Sequence, residues 1–105
     1  MLKQRYSNPN LLFYFLLMFL PGLSQAADTI KGAEIYSKHC ASCHGVNGIS
    51  VMIGAPNFAR SEGLISPDSV LFISIQSGKT AMPAYRGVLS DQEILDVIAY
   101  LRTLD

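Results

Sequence analysis

Cys40-Ala41-Ser42-Cys43-His44 constrains this chain more than any other stretch. Two thiols separated by two residues, followed at once by an imidazole, allow one short segment to bond both vinyl groups of a haem while the adjacent histidine reaches the iron. The same Cys-x-x-Cys spacing without the histidine serves redox disulfides and half-sites for zinc, so His44 is the discriminating residue. The chain has only these two cysteines. Any fold must therefore fit a bulky, largely apolar macrocycle against residues 40–44.

The N-terminal part reads as a leader. Lys3 and Arg5 give it a positive start, Leu11 to Leu20 is an unbroken apolar run, Pro21-Gly22 breaks it, and Ser24-Gln25-Ala26 supplies small residues for cleavage after Ala26. A retained membrane anchor is the rival reading, but a span needs about 18 or more apolar residues and this run is shorter. Residues 1–26 are thus expected to be a secretory signal and residues 27–105 the single domain, 79 residues of a 105-residue chain. That is near the size, roughly 70 to 80 residues, at which an apolar core alone is marginal and a disulfide, metal or cofactor is needed. A disulfide between Cys40 and Cys43 would close too small a loop to help. A covalently held macrocycle would serve better. Over residues 27–105, six Lys and Arg stand against eight Asp and Glu, a balance of −2 with no basic cluster, which excludes a nucleic-acid surface.

Taken in order, Asp28 or Thr29 caps a helix over Ile30–His39 that runs into the cysteine motif. Gly32 lies inside it, where glycine costs about 1 kcal/mol relative to alanine, so another backbone is expected to pack close there. Tyr36, four residues on, shares that face as core packing. After His44, Gly45-Val46-Asn47-Gly48 and Gly54-Ala55-Pro56-Asn57-Phe58 are irregular pieces expected to wrap one side of the cofactor. Pro56 offers a free carbonyl that would suit the second ring nitrogen of an iron-bound His44. Ser66-Pro67-Asp68 predicts a helix with serine as cap and proline at the first helical position, continuing through Val70–Ile75 and stopped by Gly78. Its apolar residues on nearly every side predict burial against more than one neighbour.

Met82-Pro83 is the second stretch with chemistry in it. Proline pushes Met82 out of helical geometry and constrains the direction of its thioether. Methionine is ordinarily core filler, yet a haem with histidine on one face needs a ligand on the other. Met52 competes, but it stands in the loop expected to cover the histidine side, so Met82 is preferred. Ser90 and Glu93 then form a capping box, and Ile94, Val97, Ile98, Leu101 and Leu104 recur at helical spacing as one apolar face. Asp91, Glu93 and Arg102 suit the ends of that helix's dipole.

Across the whole of residues 27–105 the chain resembles the class I cytochrome c family. The resembling residues are Gly32 and Tyr36 before the motif, Cys40, Cys43 and His44 within it, Pro56 after it, Met82-Pro83 late in the chain, and Val97, Tyr100 and Leu101 in the last helix. The resemblance implies an all-α fold of three to four helices wrapped around one haem c, covalent through Cys40 and Cys43, with iron ligated by His44 and Met82 and with Pro56 orienting His44. It also implies a periplasmic one-electron carrier rather than an enzyme, a monomer exchanging electrons with a periplasmic or membrane-bound donor and a terminal reductase or oxidase. A narrower likeness points to short cytochromes that accompany nitrite reductases in denitrification. There is no tryptophan, so Arg60, Tyr85 and Arg86 are the candidates for any haem-propionate contact; Lys79 is the candidate for steering partners, and His39 is given no ligand role. Three alternatives stay open at this point. They are a haem enzyme or gas sensor with an open distal site, an accessory protein in nitrite reductase maturation, and a thiol redox or zinc module.

Overall fold

The structure, a computed structural model, describes residues 2–3, 8–19 and 26–105. The expected break at Pro21-Gly22 and the Ser24-Gln25 portion of the expected cleavage site lie outside the described residues. A first helix, α1 (Pro9–Leu17), buries none of its side chains. No helix among the described residues is long and apolar enough to cross a membrane. Four further α-helices follow: α2 (Thr29–His39), α3 (Ala41–His44), α4 (Asp68–Ser77) and α5 (Asp91–Leu101), with one 3-10 turn at Phe58–Arg60. No strand occurs among the described residues, only isolated bridges pairing Lys79 with Met82 and Arg86 with Leu89. The expected all-α class therefore holds.

Asp28 starts α2, its side chain accepting from the backbone N–H of Ile30 at 2.9 Å and of Lys31 at 3.1 Å. These are two of the donors that the first turn of any helix leaves unpaired. Ser90 starts α5 with the reciprocal pattern expected of it: its hydroxyl accepts from Glu93 N–H, and the Glu93 carboxylate accepts from Ser90 N–H, both at 3.1 Å. The two helices pack face to face. Ile35 and Tyr36 of α2 meet Ile94, Val97, Ile98 and Leu101 of α5 in a core completed by Phe58, Leu64, Ile75 and Leu89. Gly32 is what lets them approach. A Cβ placed there would lie 2.0 Å from the Asp96 carbonyl oxygen and 3.0 Å from Tyr100 Cβ. Asp96 is itself buried in this interface, accepting from Asp28 N–H at 2.8 Å and from the Gln92 side-chain amide at 2.9 Å.

Two expectations for α4 need correction. Ser66 is not its cap. Pro67 holds extended backbone, with φ −60° and ψ 156° and no side-chain cap, and its carbonyl takes the first bonds from Val70 and Leu71 N–H. The helix begins one residue late because Arg102, at the end of α5, draws this segment to itself. Its guanidinium donates to the carbonyls of Leu64 and Ser66, the latter at 2.8 Å, and to the Asp68 carboxylate at 2.7 Å. Nor is α4 buried on every side. Of its apolar residues only Ile75 is fully buried; Leu71 and Phe72 are half-buried, and Val70 and Ile73 remain 48% and 60% exposed. The helix stops at Gly78, as expected, with φ 70°.

Candidate functional site

The site is assembled where α2 runs out. Cys40 N–H still donates to the Tyr36 carbonyl at 2.8 Å, so the first thiol is delivered by the last turn of α2. The single turn of α3 follows, with His44 N–H donating to the Cys40 carbonyl at 3.0 Å. Both cysteines are free thiols, neither fully exposed nor fully buried. Burial, and secondarily the neighbouring Cys43, push the Cys40 thiol up to about 11. It is therefore protonated at neutral pH, whereas a thiol built for disulfide exchange has its pKa lowered.

His44 is buried, with 8% of its surface exposed. Immediately after it Gly45 turns the chain back at φ 82°, where a Cβ would stand 1.8 Å from the Ile49 carbonyl oxygen. The reversal is pinned by Tyr36, whose hydroxyl donates to the Gly45 carbonyl at 2.6 Å. Burial pushes that phenol up to about 12, so it remains a donor across the ordinary pH range. The returning loop is tied down by Val51 and Met52 N–H, which donate to the Cys43 carbonyl at 3.1 and 3.2 Å. It then brings the Pro56 carbonyl oxygen to 3.2 Å from His44 Nδ1. A carbonyl can only accept, so Nδ1 carries the proton and the lone pair of the neutral ring is at Nε2. Phe58 lies flat against the imidazole, ring centroids 4.4 Å apart and planes 17° apart, which fixes its plane as Pro56 fixes its rotation.

Met82 stands on a separate loop, half-buried against the core, as are Leu71, Phe72 and Tyr85. That loop is tight: Met82 N–H donates to the Lys79 carbonyl at 2.8 Å and Lys79 N–H to the Met82 carbonyl at 3.0 Å. Gly78 allows the fold-back, since a Cβ there would meet Ala84 N at 2.6 Å and Met82 O at 2.7 Å. Met52 is exposed by comparison. Among the residues named for propionates, Arg60 and Arg86 are exposed, and the Tyr85 hydroxyl is already engaged, donating to the His39 carbonyl at 2.9 Å. Lys79 is exposed.

Residue reading overlooked two parts of this arrangement. Phe58 was visible only as an aromatic two positions after Pro56, a spacing that carries no signal without the fold. Tyr85 stands among the propionate candidates, and nothing local announces that its hydroxyl caps a helix 46 positions away.

The residues fit a haem attached through both thiols. There is a satisfied Nδ1 and a lone pair at Nε2, two free thiols within one helical turn, and a thioether on a neighbouring loop. Zinc would need a converging set of ligands, and among the described residues no group of three or more His, Cys, Asp or Glu side chains converges.

An all-helical fold closed around a Cys-x-x-Cys-His turn defines a c-type haem protein. The sequence profile of the family described as cytochrome c oxidase, cbb3-type, subunit III matches residues 27–101. Cytochrome c6 of Thermosynechococcus vestitus is 36% identical over 105 residues, which cover 95% of this chain and 91% of that protein. A cytochrome c6-like protein of a Nostoc species is 38% identical over 93 residues, 85% of this chain and 82% of the relative. The solved structure of cytochrome c6 from the diatom Phaeodactylum tricornutum superposes with a TM-score of 0.60 at 28% identity, covering 73% of this chain and 93% of that one. The chain belongs to the small mono-haem class I c-type cytochromes and is cytochrome c6-like. Such a protein holds one covalent haem c and carries electrons between protein partners.

Proposed function

We propose that this chain is an exported one-electron carrier whose iron is ligated by His44 Nε2 and the Met82 sulfur. The observation that carries the reading is the buried His44 imidazole, with Pro56 O at 3.2 Å from Nδ1 and a pair of free thiols just before it. When bound, the haem supplies a ferrous/ferric couple. Everything else is done by the chain. Cys40 and Cys43 fasten the macrocycle, so it is not lost on reduction or oxidation. Pro56 holds the proton on Nδ1 and makes Nε2 the better donor. Phe58 keeps the ring from turning between redox states, and the thioether of Met82, a soft ligand, favours the reduced metal and raises the potential. With His44 and Met82 both as ligands, the iron would offer no open position for substrate and would serve electron transfer alone.

Residues 1–26 act as the leader, cleaved after Ala26, and the carrier works in the periplasm as a monomer. With a balance of −2 over residues 27–105, it meets its redox partners through a small apolar patch, and Lys79 contributes light electrostatic steering.

Met82→Ala in the haem-loaded protein tests the ligation. The expected outcome is loss of the methionine-to-iron charge-transfer band, a fall in midpoint potential on the order of a hundred millivolts or more, and new binding of cyanide or carbon monoxide. Met52→Ala should leave all three unchanged. A Met82→Ala protein with its band and potential intact would sink the assignment.

A further inference from the structure

The loop that carries Met82, residues 78–90, is fastened mainly to the helix it leaves. Tyr85 N–H donates to the Ile75 carbonyl at 3.0 Å and Arg86 N–H to the Gln76 carbonyl at 3.1 Å, both on α4. One hydrogen bond among the described residues reaches from this loop to the α2 side of the molecule, where the cysteine motif begins. The Tyr85 hydroxyl donates to the His39 carbonyl at 2.9 Å, over a sequence separation of 46. The acceptor is a natural one, because the carbonyls in the last turn of a helix have no partner within it. His39 is the final residue of α2 and immediately precedes Cys40. The Tyr85 ring also stands edge-on to the His39 imidazole, centroids 5.7 Å apart at 76°. Burial pushes the phenol's pKa up, which keeps the hydroxyl a donor.

We propose that Tyr85 is a positioning residue for the distal ligand: its hydroxyl ties the Met82 loop to the helix end that bears Cys40, and so governs how often the methionine leaves the iron. The inference rests on Met82 being that ligand. Its logic is geometric. Cys40 and Cys43 would fasten the macrocycle and His44 would ligate its iron from the end of α2 and from α3, while Met82 would reach it from a loop anchored to α4. The sulfur-to-iron bond therefore depends on how firmly these two parts are joined. A phenylalanine at 85 would keep the ring in the core and leave the His39 carbonyl without its donor.

The test is displacement of methionine by imidazole in the ferric, haem-loaded protein, followed as bleaching of the charge-transfer band. At saturating imidazole the rate reports loop opening. Tyr85→Phe should keep the band at rest and raise that plateau rate roughly three- to tenfold, the range set by the net worth of one hydrogen bond. His39→Ala retains the acceptor carbonyl and should stay within twofold of the parent. A general loss of stability would speed unfolding in denaturant without raising the plateau, so both rates are measured. The proposal is overturned if Tyr85→Phe stays within twofold of the parent, if its plateau is unmoved while unfolding quickens, or if His39→Ala matches it. A parent protein with no charge-transfer band removes the ligation and the tether together. A parent with the band and a silent Tyr85→Phe removes the tether alone.

Discussion

The contact between α2 and α5 and the flank formed by α4 with the Met82 loop are built to different standards. In the first, Tyr36, Ile94, Val97 and Ile98 are almost wholly shielded from water, backbones meet at Gly32, and the one buried carboxylate, Asp96, has its hydrogen-bond partners. In the second, Val70 and Ile73 face outward, Leu71, Phe72 and Met82 are half-covered, and the helix starts without a side-chain cap. The first interface is complete with protein atoms alone. The second leaves apolar surface that the rest of the described chain does not cover. Stability in such a molecule is therefore expected to be uneven. The helix pair should open only with the whole domain, and the Met82 flank more readily, which is the side where a ligand exchange could begin.

The sharpest way to break the comparison is Gly32→Ala. Helix propensity alone predicts a gain of about 1 kcal/mol. The contact predicts the reverse, since a Cβ 2.0 Å from the Asp96 carbonyl oxygen forces the two helices apart. A net loss of about 4 kcal/mol or more is expected, enough to unfold much of a small domain. Denaturant unfolding of the haem-loaded variant checks the sign. A stabilised protein would show that the helices do not meet at this point.

A paired substitution sharpens it next. Ile98→Ala removes a side chain that is nearly inaccessible on α5 and should cost about 3 kcal/mol. Ile73→Ala removes a side chain of similar volume that is 60% exposed on α4 and should cost less than about 0.5 kcal/mol. Near-equal losses in unfolding experiments would mean that the two regions are packed alike after all.

How much of this was readable from residues depends on how far each cause lies along the chain. Ser90 with Glu93 capping α5 and the apolar repeat from Ile94 to Leu101 are patterns within a few positions and are present as read, and of the two caps read for α2, Asp28 or Thr29, it is Asp28 that caps and Thr29 that opens the helix. Gly32 was legible too, because an unfavourable residue inside a helix implies a compensating neighbour, although its partner Asp96 was not. The Pro56 carbonyl stands by His44 because a short loop with Gly45 at its start has few ways to return. The start of α4 was misjudged because its competitor, Arg102, is 34 positions from Asp68 and no local pattern reveals it. The exposure of Val70 and Ile73 was misjudged for a related reason. An apolar helix at the edge of a small domain need not be surrounded by protein, and residue type alone does not say which side faces out.

The smallest effect concerns how the two helices begin, and it separates a static cap from one that titrates. Ser90→Ala removes the hydroxyl that accepts from Glu93 N–H and should cost about 1 kcal/mol at neutral pH. Ser66→Ala, before the uncapped start of α4, should cost less than about 0.5 kcal/mol. The α5 cap also depends on charge. Hydrogen bonds from the Ser90 backbone and side chain hold the Glu93 carboxyl below the usual carboxylate range. A carboxylate whose pKa is lowered by folding adds stability that is fully present above its unfolded value and is lost as pH falls through its folded value. Glu93→Gln keeps an acceptor for Ser90 N–H and removes the titration. The stability difference between parent and Glu93→Gln should therefore be largest near neutrality and shrink steadily through the acidic carboxylate range, as read from unfolding midpoints at successive pH values. A difference that stays constant with pH would mean that the Glu93 charge takes no part in starting α5.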